Sequence, residues 1–134
     1  MIEGSCHCGR VRFAVGAELV EGERLPLDGG GPRQVTQCNC SICSKLGQLV
    51  SYCPPGDFSV TEGEDALSSY SWGDRLMDFR FCGTCACMVY SRVKPELIAE
   101  VWPDAGARKV MVNARLLEGV DLGAVAVREV DGRG

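Results

Sequence analysis

Apolar residues recur at every second position in several short stretches of this chain. Residues 11–15 and 77–81 both show this alternation, which is typical of a β-strand with one buried face. Six further stretches are predicted to be short strands, at residues 48–53, 57–61, 87–93, 97–102, 109–114 and 125–130. Turn-forming Gly, Pro and Asp residues lie between many of them. The pattern therefore predicts a mainly β protein.

Helical periodicity is nearly absent from the sequence. One helical turn is predicted at residues 41–46, and another at 120–124, where Asp121 can cap the turn. Residues 21–33 include three consecutive glycines and two prolines, a composition that disfavours a strand. We expect a surface loop there, or else a mobile flap beside the cysteines that follow it.

Composition narrows the class of protein. The 134 residues suggest one domain spanning 1–134, and 14 basic against 18 acidic side chains give a net charge of −4. This charge favours neither nucleic acid nor an anionic membrane as a partner. No apolar run approaches the length of a membrane span, and residues 1–4 lack signal-peptide features. We expect a soluble cytoplasmic protein and leave its oligomeric state open.

Nine cysteines and one histidine are the unusual counts. A single histidine argues against a Ser-His-Asp triad, and an odd number of cysteines argues against a disulfide framework. Seven cysteines lie in three short motifs: Cys6-His7-Cys8, Cys38-Asn39-Cys40-Ser41-Ile42-Cys43 and Cys82-Gly83-Thr84-Cys85. Such short spacings are typical of metal ligands.

The motifs divide into two predicted metal sites. Two short pairs make a closed four-sulfur site, as in structural zinc sites: Cys6, Cys8, Cys82 and Cys85. The remaining three match a catalytic zinc, which keeps its fourth position open: Cys38, Cys40 and Cys43.

The other two cysteines and the histidine are assigned separately. His7 is predicted to point away from the metal, and Cys53 to be a small core residue. Cys87 is left with two alternatives, because it either packs in the core or closes the three-cysteine site.

The chain resembles the glutathione-dependent formaldehyde-activating enzyme (GFA) and centromere protein V family. The resemblance is carried by Gly4-Ser5-Cys6-His7-Cys8-Gly9-Arg10-Val11-Arg12-Phe13, by Cys38-Asn39-Cys40-Ser41-Ile42-Cys43, by Phe81-Cys82-Gly83-Thr84-Cys85, by Val112-Asn113-Ala114-Arg115-Leu116-Leu117-Glu118-Gly119-Val120-Asp121-Leu122 and by Asp131-Gly132-Arg133. It implies a β-tent fold of short antiparallel strands with two zinc ions. The family's structural motif falls on Cys6, Cys8, Cys82 and Cys85, and its catalytic motif on Cys38, Cys40 and Cys43.

The activity implied by the resemblance joins glutathione to formaldehyde and forms S-(hydroxymethyl)glutathione, a carbon–sulfur lyase reaction. Two features depart from the family pattern. Residue 86 is Ala where the family usually has Gly, so we expect a different turn or a strained one. The segment between Cys8 and Cys38 is longer than usual, with the Gly-rich loop as the expected insertion.

Zinc held by three thiolates suits a further thiolate better than a hydrolytic water, which predicts a small thiol as one substrate. The resemblance implies a small aldehyde as the other. An anionic thiol such as glutathione then requires a nearby cation, and Lys45 and Arg33 are the candidates. The alternative is a non-catalytic module with two structural zinc ions, the second completed by Cys87, that binds a protein partner.

Overall fold

A computed structural model describes residues 2–16, 34–53, 55–73, 75–94 and 110–131. These contain ten strands: β1 Ile2–Ser5, β2 Arg12–Val15, β3 Gln34–Cys38, β4 Val50–Cys53, β5 Phe58–Glu62, β6 Leu67–Tyr70, β7 Met77–Cys82, β8 Met88–Val93, β9 Val110–Asn113 and β10 Ala126–Val130. The helical elements are α1 at Cys43–Leu46 and four single 3₁₀ turns, at Pro55–Asp57, Glu64–Ala66, Ala114–Leu116 and Leu122–Ala124. The prediction of a mainly β protein with very little helix is confirmed.

Most of the predicted elements are present within two residues of their predicted ends. Strands β2, β4, β5, β7, β8, β9 and β10 correspond to predicted strands. The predicted turn at 120–124 is a 3₁₀ helix in which the Asp121 side chain accepts a hydrogen bond from the Gly123 N–H at 3.0 Å. The predicted strand 97–102 and the predicted loop 21–33 lie outside the described residues.

Three strands that alternation did not indicate are also present, namely β1, β3 and β6. Three of the four β6 residues are exposed, so its sequence carries no alternating apolar face. In β1, Gly4 lies opposite Phe13, and the Phe13 ring occupies the space where a Cβ would stand. Glycine is required there because the two strands pack so closely.

The strands form two sheets. The smaller has the order β1-β2-β5, and the larger has the order β10-β3-β4-β9-β8-β7-β6. The β3–β10 pair is parallel, whereas the other pairings of the described strands are antiparallel. In the parallel pair Cys38 lies opposite Val130, so both strands end at the same edge of the sheet.

The hydrophobic core takes side chains from both sheets. Val11, Phe13 and Val15 are buried beside or within the smaller sheet, and Val89 and Val112 are buried in the larger. Each fully buried Val or Phe contributes about 1.5–3 kcal/mol relative to an exposed side chain. Aromatic rings extend this packing, since the Phe58 ring lies 5.8 Å from Phe13 and 4.6 Å from Tyr90.

Cys53 is fully buried in this core, as predicted. Burial, together with the nearby Asp57 carboxylate, raises the pKa of its thiol to about 12. A thiol that stays protonated and inaccessible does not act as a nucleophile or a metal ligand.

The helices in the described residues are all too short or too polar to cross a membrane.

Candidate metal centres

Four cysteines from opposite ends of the sequence form a compact group, which we name the four-cysteine cluster: Cys6, Cys8, Cys82 and Cys85. Their sulfur atoms all lie within 4.8 Å of one another. The Sγ atoms of Cys6 and Cys8 are 3.6 Å apart, and those of Cys8 and Cys82 are 3.7 Å apart. Tetrahedral zinc with bonds of about 2.3 Å places its sulfurs about 3.8 Å apart. The cluster therefore fits a zinc ion.

Backbone N–H groups point at the sulfurs of this cluster. Val11 N–H lies 3.4 Å from the Sγ of Cys6, and the N–H groups of Thr84 and Cys85 lie 3.4 and 3.5 Å from the Sγ of Cys82. Burial raises the pKa of Cys85, but the N–H groups of Cys8 and Cys87 and two neighbouring thiols lower it to about 5. The local backbone thus favours thiolates, the form in which cysteine binds metal.

The four-cysteine cluster joins the two sheets. Cys6 follows β1 of the smaller sheet, and Cys82 is the last residue of β7 in the larger one. Both side chains are almost completely buried, with relative exposures of 3% and 0%. A metal ion held here would link the two sheets and add its binding energy to the folding energy.

The turn after Cys85 contains the departure from the family pattern. Ala86 has a φ of 68°, in the left-handed region that favours glycine, and its N–H donates to the carbonyl oxygen of Cys82 at 2.8 Å. Of the two expectations for this position, the structure shows the strained one. An L-residue with a Cβ pays about 1–2 kcal/mol for this conformation.

His7 and Cys87 lie beside the four-cysteine cluster. His7 is exposed and does not join the four-cysteine cluster, in agreement with the prediction that it points away from the metal. Cys87 is half-buried; burial raises the pKa of its thiol, the His7 N–H lowers it, and the adjacent Cys85 thiol raises it further. Within the described residues, Cys87 does not join the second group of cysteines.

The second group comes from one short segment, and we name it the three-cysteine cluster: Cys38, Cys40 and Cys43. Its sulfurs also lie within 4.8 Å of one another, and all three residues are half-buried. Cys38 ends β3 and Cys43 begins α1, so the turn between them gathers the thiols. Helix α1 stops at Gly47, whose φ of 67° is left-handed and whose N–H closes onto the carbonyl of Cys43 at 3.0 Å.

Two hydrogen bonds hold the sulfurs of this cluster. The Cys43 N–H lies 3.4 Å from the Sγ of Cys40, and the Gln48 amide nitrogen lies 3.7 Å from the Sγ of Cys43. Burial raises the pKa of the Cys40 thiol, but the Cys43 N–H and the two neighbouring thiols bring it below its usual range. Burial, with the Cys40 thiol, raises the pKa of Cys43 to about 12, although Gln48 opposes this. Three soft sulfur donors at this spacing fit zinc.

A cavity of about 540 Å³, which we name the polar cavity, opens beside this cluster. Its described lining consists of Gln37, Cys38, Asn39, Cys43, Ser44, Gly47, Gln48, Glu129, Val130 and Asp131. Two of the three thiols therefore lie at its wall. Its volume is within the range of small-molecule sites.

The acidic side of the polar cavity depends on the parallel pairing of β3 with β10. The Asn39 N–H donates to the Val130 carbonyl at 3.2 Å, and the Asn39 amide donates to the Asp131 carboxylate at 3.0 Å. Sequence reasoning did not assign Glu129 or Asp131 to the site. The one signal was that Asp131 begins a motif of the resemblance described above.

Lys45 lines a different cavity. This apolar cavity, of about 620 Å³, has the described lining Ser41, Ile42, Lys45, Leu46, Ser69, Tyr70, Trp72, Phe81, Ala86 and Met88. Helix α1 contributes Cys43 and Ser44 to the polar cavity and Lys45 and Leu46 to the apolar one. The structure thus does not bring Lys45 to the wall formed by Cys38 and Cys43. Arg33 lies outside the described residues.

The fold and the two clusters together define a mainly β protein with two cysteine groups that can each hold a metal ion. The family described as glutathione-dependent formaldehyde-activating enzyme matches residues 1–107, so the chain belongs to this family.

The chain is also similar to individual known proteins. A Halomonas elongata protein named "Putative glutathione-dependent formaldehyde-activating enzyme" is 32% identical, over 73% of this chain and 61% of that protein. The chain therefore matches less than two thirds of the length of that relative. A crystal structure of a Rhodobacter sphaeroides protein superposes with a TM-score of 0.67 at 27% identity, over 94% of this chain and 99% of that one.

Proposed function

We propose that the chain is a zinc-dependent enzyme of the carbon–sulfur lyase type, which adds a small thiol to a small aldehyde such as formaldehyde. The observation that carries this proposal is the three-cysteine cluster at the wall of the polar cavity. Its three sulfurs lie within 4.8 Å of one another, and no fourth His, Cys, Asp or Glu of the described residues joins them. Three protein ligands beside an accessible cavity are typical of a catalytic site.

Two zinc ions are the proposed metals, a structural one in the four-cysteine cluster and a catalytic one in the three-cysteine cluster. When bound at three cysteines, zinc supplies an open position that favours a thiolate over a thiol. Glutathione and formaldehyde are the proposed substrates, by analogy with the name of the family.

The reaction needs no further reactant. The thiol loses its S–H proton, its sulfur forms a bond to the aldehyde carbon, and the carbonyl oxygen gains a proton to become a hydroxyl. A free thiol with a pKa of about 8.5 is about 3% ionised at pH 7, so full ionisation gains at most about 30-fold. The rest of the acceleration must come from holding both substrates together, which the polar cavity can do.

The chain's own residues keep this arrangement in place. The Gln48 amide and the Cys43 N–H fix two sulfurs, and the Asn39–Asp131 hydrogen bond joins the ends of β3 and β10 at the cavity wall. These contacts hold the cysteine side chains in place, and the polar cavity gives substrates access to them.

The proposal is tested by replacing Cys40 with Ser. Exchange between free formaldehyde and the hydroxymethyl thiol can be followed by NMR exchange spectroscopy with ¹³C-formaldehyde and glutathione. We expect the native chain to bind two zinc ions per chain and to accelerate exchange, whereas Cys40→Ser retains one zinc ion and the uncatalysed rate. The control is Cys53→Ala, which changes a core cysteine outside both clusters and should retain both properties. Unchanged catalysis in Cys40→Ser would contradict the proposal.

A non-catalytic module that binds a protein partner is the second candidate. The observation that favours it is the apolar cavity, where the large hydrophobic residues Leu46, Tyr70 and Trp72 are 39%, 50% and 47% exposed. Such patches are common at interaction sites. Zinc-edge X-ray absorption distinguishes the two, since a module with two structural zinc ions requires four sulfurs at both metals.

A further inference from the structure

Exposed hydrophobic side chains gather around one space, the apolar cavity. Four large hydrophobic residues are exposed in the described parts of the chain, and three of them line this cavity, namely Leu46, Tyr70 and Trp72. Two other lining residues lie deeper, since Met88 is 9% exposed and Phe81 is half-buried. The cavity therefore has a buried floor and an exposed rim. With a volume of about 620 Å³, it has the size of a small-molecule site.

Backbone hydrogen bonds hold the walls of this cavity in place. In α1 the Leu46 N–H donates to the Ile42 carbonyl at 2.9 Å, and beyond β6 the Arg75 N–H donates to the Trp72 carbonyl at 2.9 Å. Tyr70 belongs to β6, whose four residues all pair with β7. The backbone of the walls is thus preformed, which lowers the cost of ordering them when a ligand binds.

The apolar wall is suited to an aromatic ring. Tyr70, Trp72 and Phe81 contribute three aromatic side chains, and Met88 contributes a thioether. Pairs of aromatic rings attract one another beyond the area that they bury, and a methionine sulfur makes favourable contacts with ring edges. An aromatic ligand therefore gains more here than an aliphatic ligand of equal size.

Lys45 is the one charged residue of the described lining of this cavity. Its ammonium forms no ion pair with any residue that the structure describes. An ammonium group donates hydrogen bonds and cannot accept them. A single unpaired cation at an apolar wall is complementary to a ligand with one anionic group.

We propose that the apolar cavity is a second ligand site, which binds an aromatic compound with one anionic group. The ring of this ligand packs against Tyr70, Trp72 and Phe81. Its anionic group pairs with the ammonium of Lys45. The ligand differs in class from both proposed substrates, because glutathione has no aromatic ring and formaldehyde has no charge. The described linings of the two cavities share no residue, so the inference is independent of the proposed function.

Two probes that differ only in charge test this inference. Naphthylacetate carries a carboxylate at neutral pH, and naphthylacetamide has the same rings with a neutral amide. Titration of the zinc-loaded full chain, with ¹³C in its methionine methyl groups, should move the NMR signal of Met88. Met111 lies in β9 outside the cavity, so its signal should stay in place. We expect a Kd about fivefold lower for the carboxylate at low salt, as for a solvent-exposed ion pair, and a ratio near one in about 1 M NaCl.

Substitution of Lys45 separates the effect of charge from that of shape. Lys45→Met removes the charge and keeps an apolar side chain, so the two Kd values should become equal within about twofold. Lys94→Met changes the other described lysine, which lies outside this cavity, and should retain the fivefold ratio. Trp72→Ala should weaken both probes about tenfold, because it removes a ring from the wall. Lys45 and Trp72 are both exposed, so neither substitution changes the core.

Three results would overturn the inference. In the first, neither probe moves the Met88 signal, which leaves the cavity to the protein partner of the second candidate function. In the second, both probes bind equally, or the fivefold ratio persists in Lys45→Met. In the third, the Met88 signal moves with protein concentration alone, which assigns the cavity to a second copy of the chain. None of these results depends on whether the three-cysteine cluster catalyses thiol addition.

Discussion

The two cysteine clusters use the same ligand atom in different structural settings. The four-cysteine cluster takes its thiols from the end of β7 and from turns next to strands of both sheets, and two of its members are almost fully buried. The three-cysteine cluster comes from residues 38–43 alone, and all of its members are half-buried at a cavity wall. Ligands that are distant in sequence connect parts of the fold, whereas the ligands from one turn lie beside a cavity that would give access to a bound metal.

The two clusters also differ in the parts of the fold that a bound metal would hold together. The first cluster joins sheets that otherwise meet through core packing, including the contact between the rings of Phe58 and Tyr90. The second joins the end of β3 to the start of α1, a connection that the chain already makes. Loss of metal should therefore affect stability at the first cluster and chemistry at the second.

The largest expected effect is that of Cys82→Ser on folding. Structural zinc contributes an apparent binding energy of about 10–16 kcal/mol in small zinc domains, which is comparable to the whole stability of a folded domain. We expect the variant to lose its cooperative thermal transition in circular dichroism. Cys87→Ser is the matched control, because Cys87 lies beside this cluster without belonging to it. A native-like melting curve for Cys82→Ser would remove the distinction between the clusters.

Cys40→Ser should separate stability from zinc binding. We expect it to lose one zinc ion by elemental analysis while it keeps a cooperative transition, because the three-cysteine cluster lies within one segment. Ser41→Ala, an exposed substitution in the same turn, should change neither property. Unfolding as complete as in Cys82→Ser would show that both metals are structural.

A smaller effect is expected from the left-handed residues in the turns beside the two clusters. Ala86 and Gly47 have nearly the same φ, at 68° and 67°, but only the first carries a Cβ. Ala86→Gly should raise the free energy of unfolding by up to about 1 kcal/mol, and Gly47→Ala should lower it by about 1 kcal/mol. Urea denaturation measures both. Shifts of the same sign in the two variants would disprove the assignment of strain to Ala86.

The smallest effect is expected from Lys45→Glu. Because Lys45 lines the apolar cavity, the variant should change the Kd of the zinc-loaded chain for glutathione by less than about twofold. Isothermal titration against the native chain checks this. A tenfold loss of affinity would return Lys45 to the thiol site, where the sequence had suggested it.

Local sequence was sufficient for the elements that depend on neighbouring residues. Alternation located β2 and β7, because each buries one face against the core. Asp121 was identified as a cap, because a side chain that bonds two residues onward needs no tertiary contact. The alternation of apolar residues did not predict β6, because its side chains are mostly exposed and its pairing with β7 is made by the backbone.

The same division applies to the candidate sites. Cysteine spacing by itself indicated which thiols of each short motif lie close together, but only the fold brings the Cys6–Cys8 motif to the Cys82–Cys85 motif. Only the tertiary structure decided what surrounds the thiols. The parallel β3–β10 pair brings Glu129 and Asp131 to the polar cavity, and the side-chain oxygen of Gln48 is buried without a hydrogen-bond partner among the described residues. Helix α1 places Cys43 at the polar cavity and Lys45 at the apolar one. These features depend on contacts between residues far apart in the chain, and no local pattern encodes them.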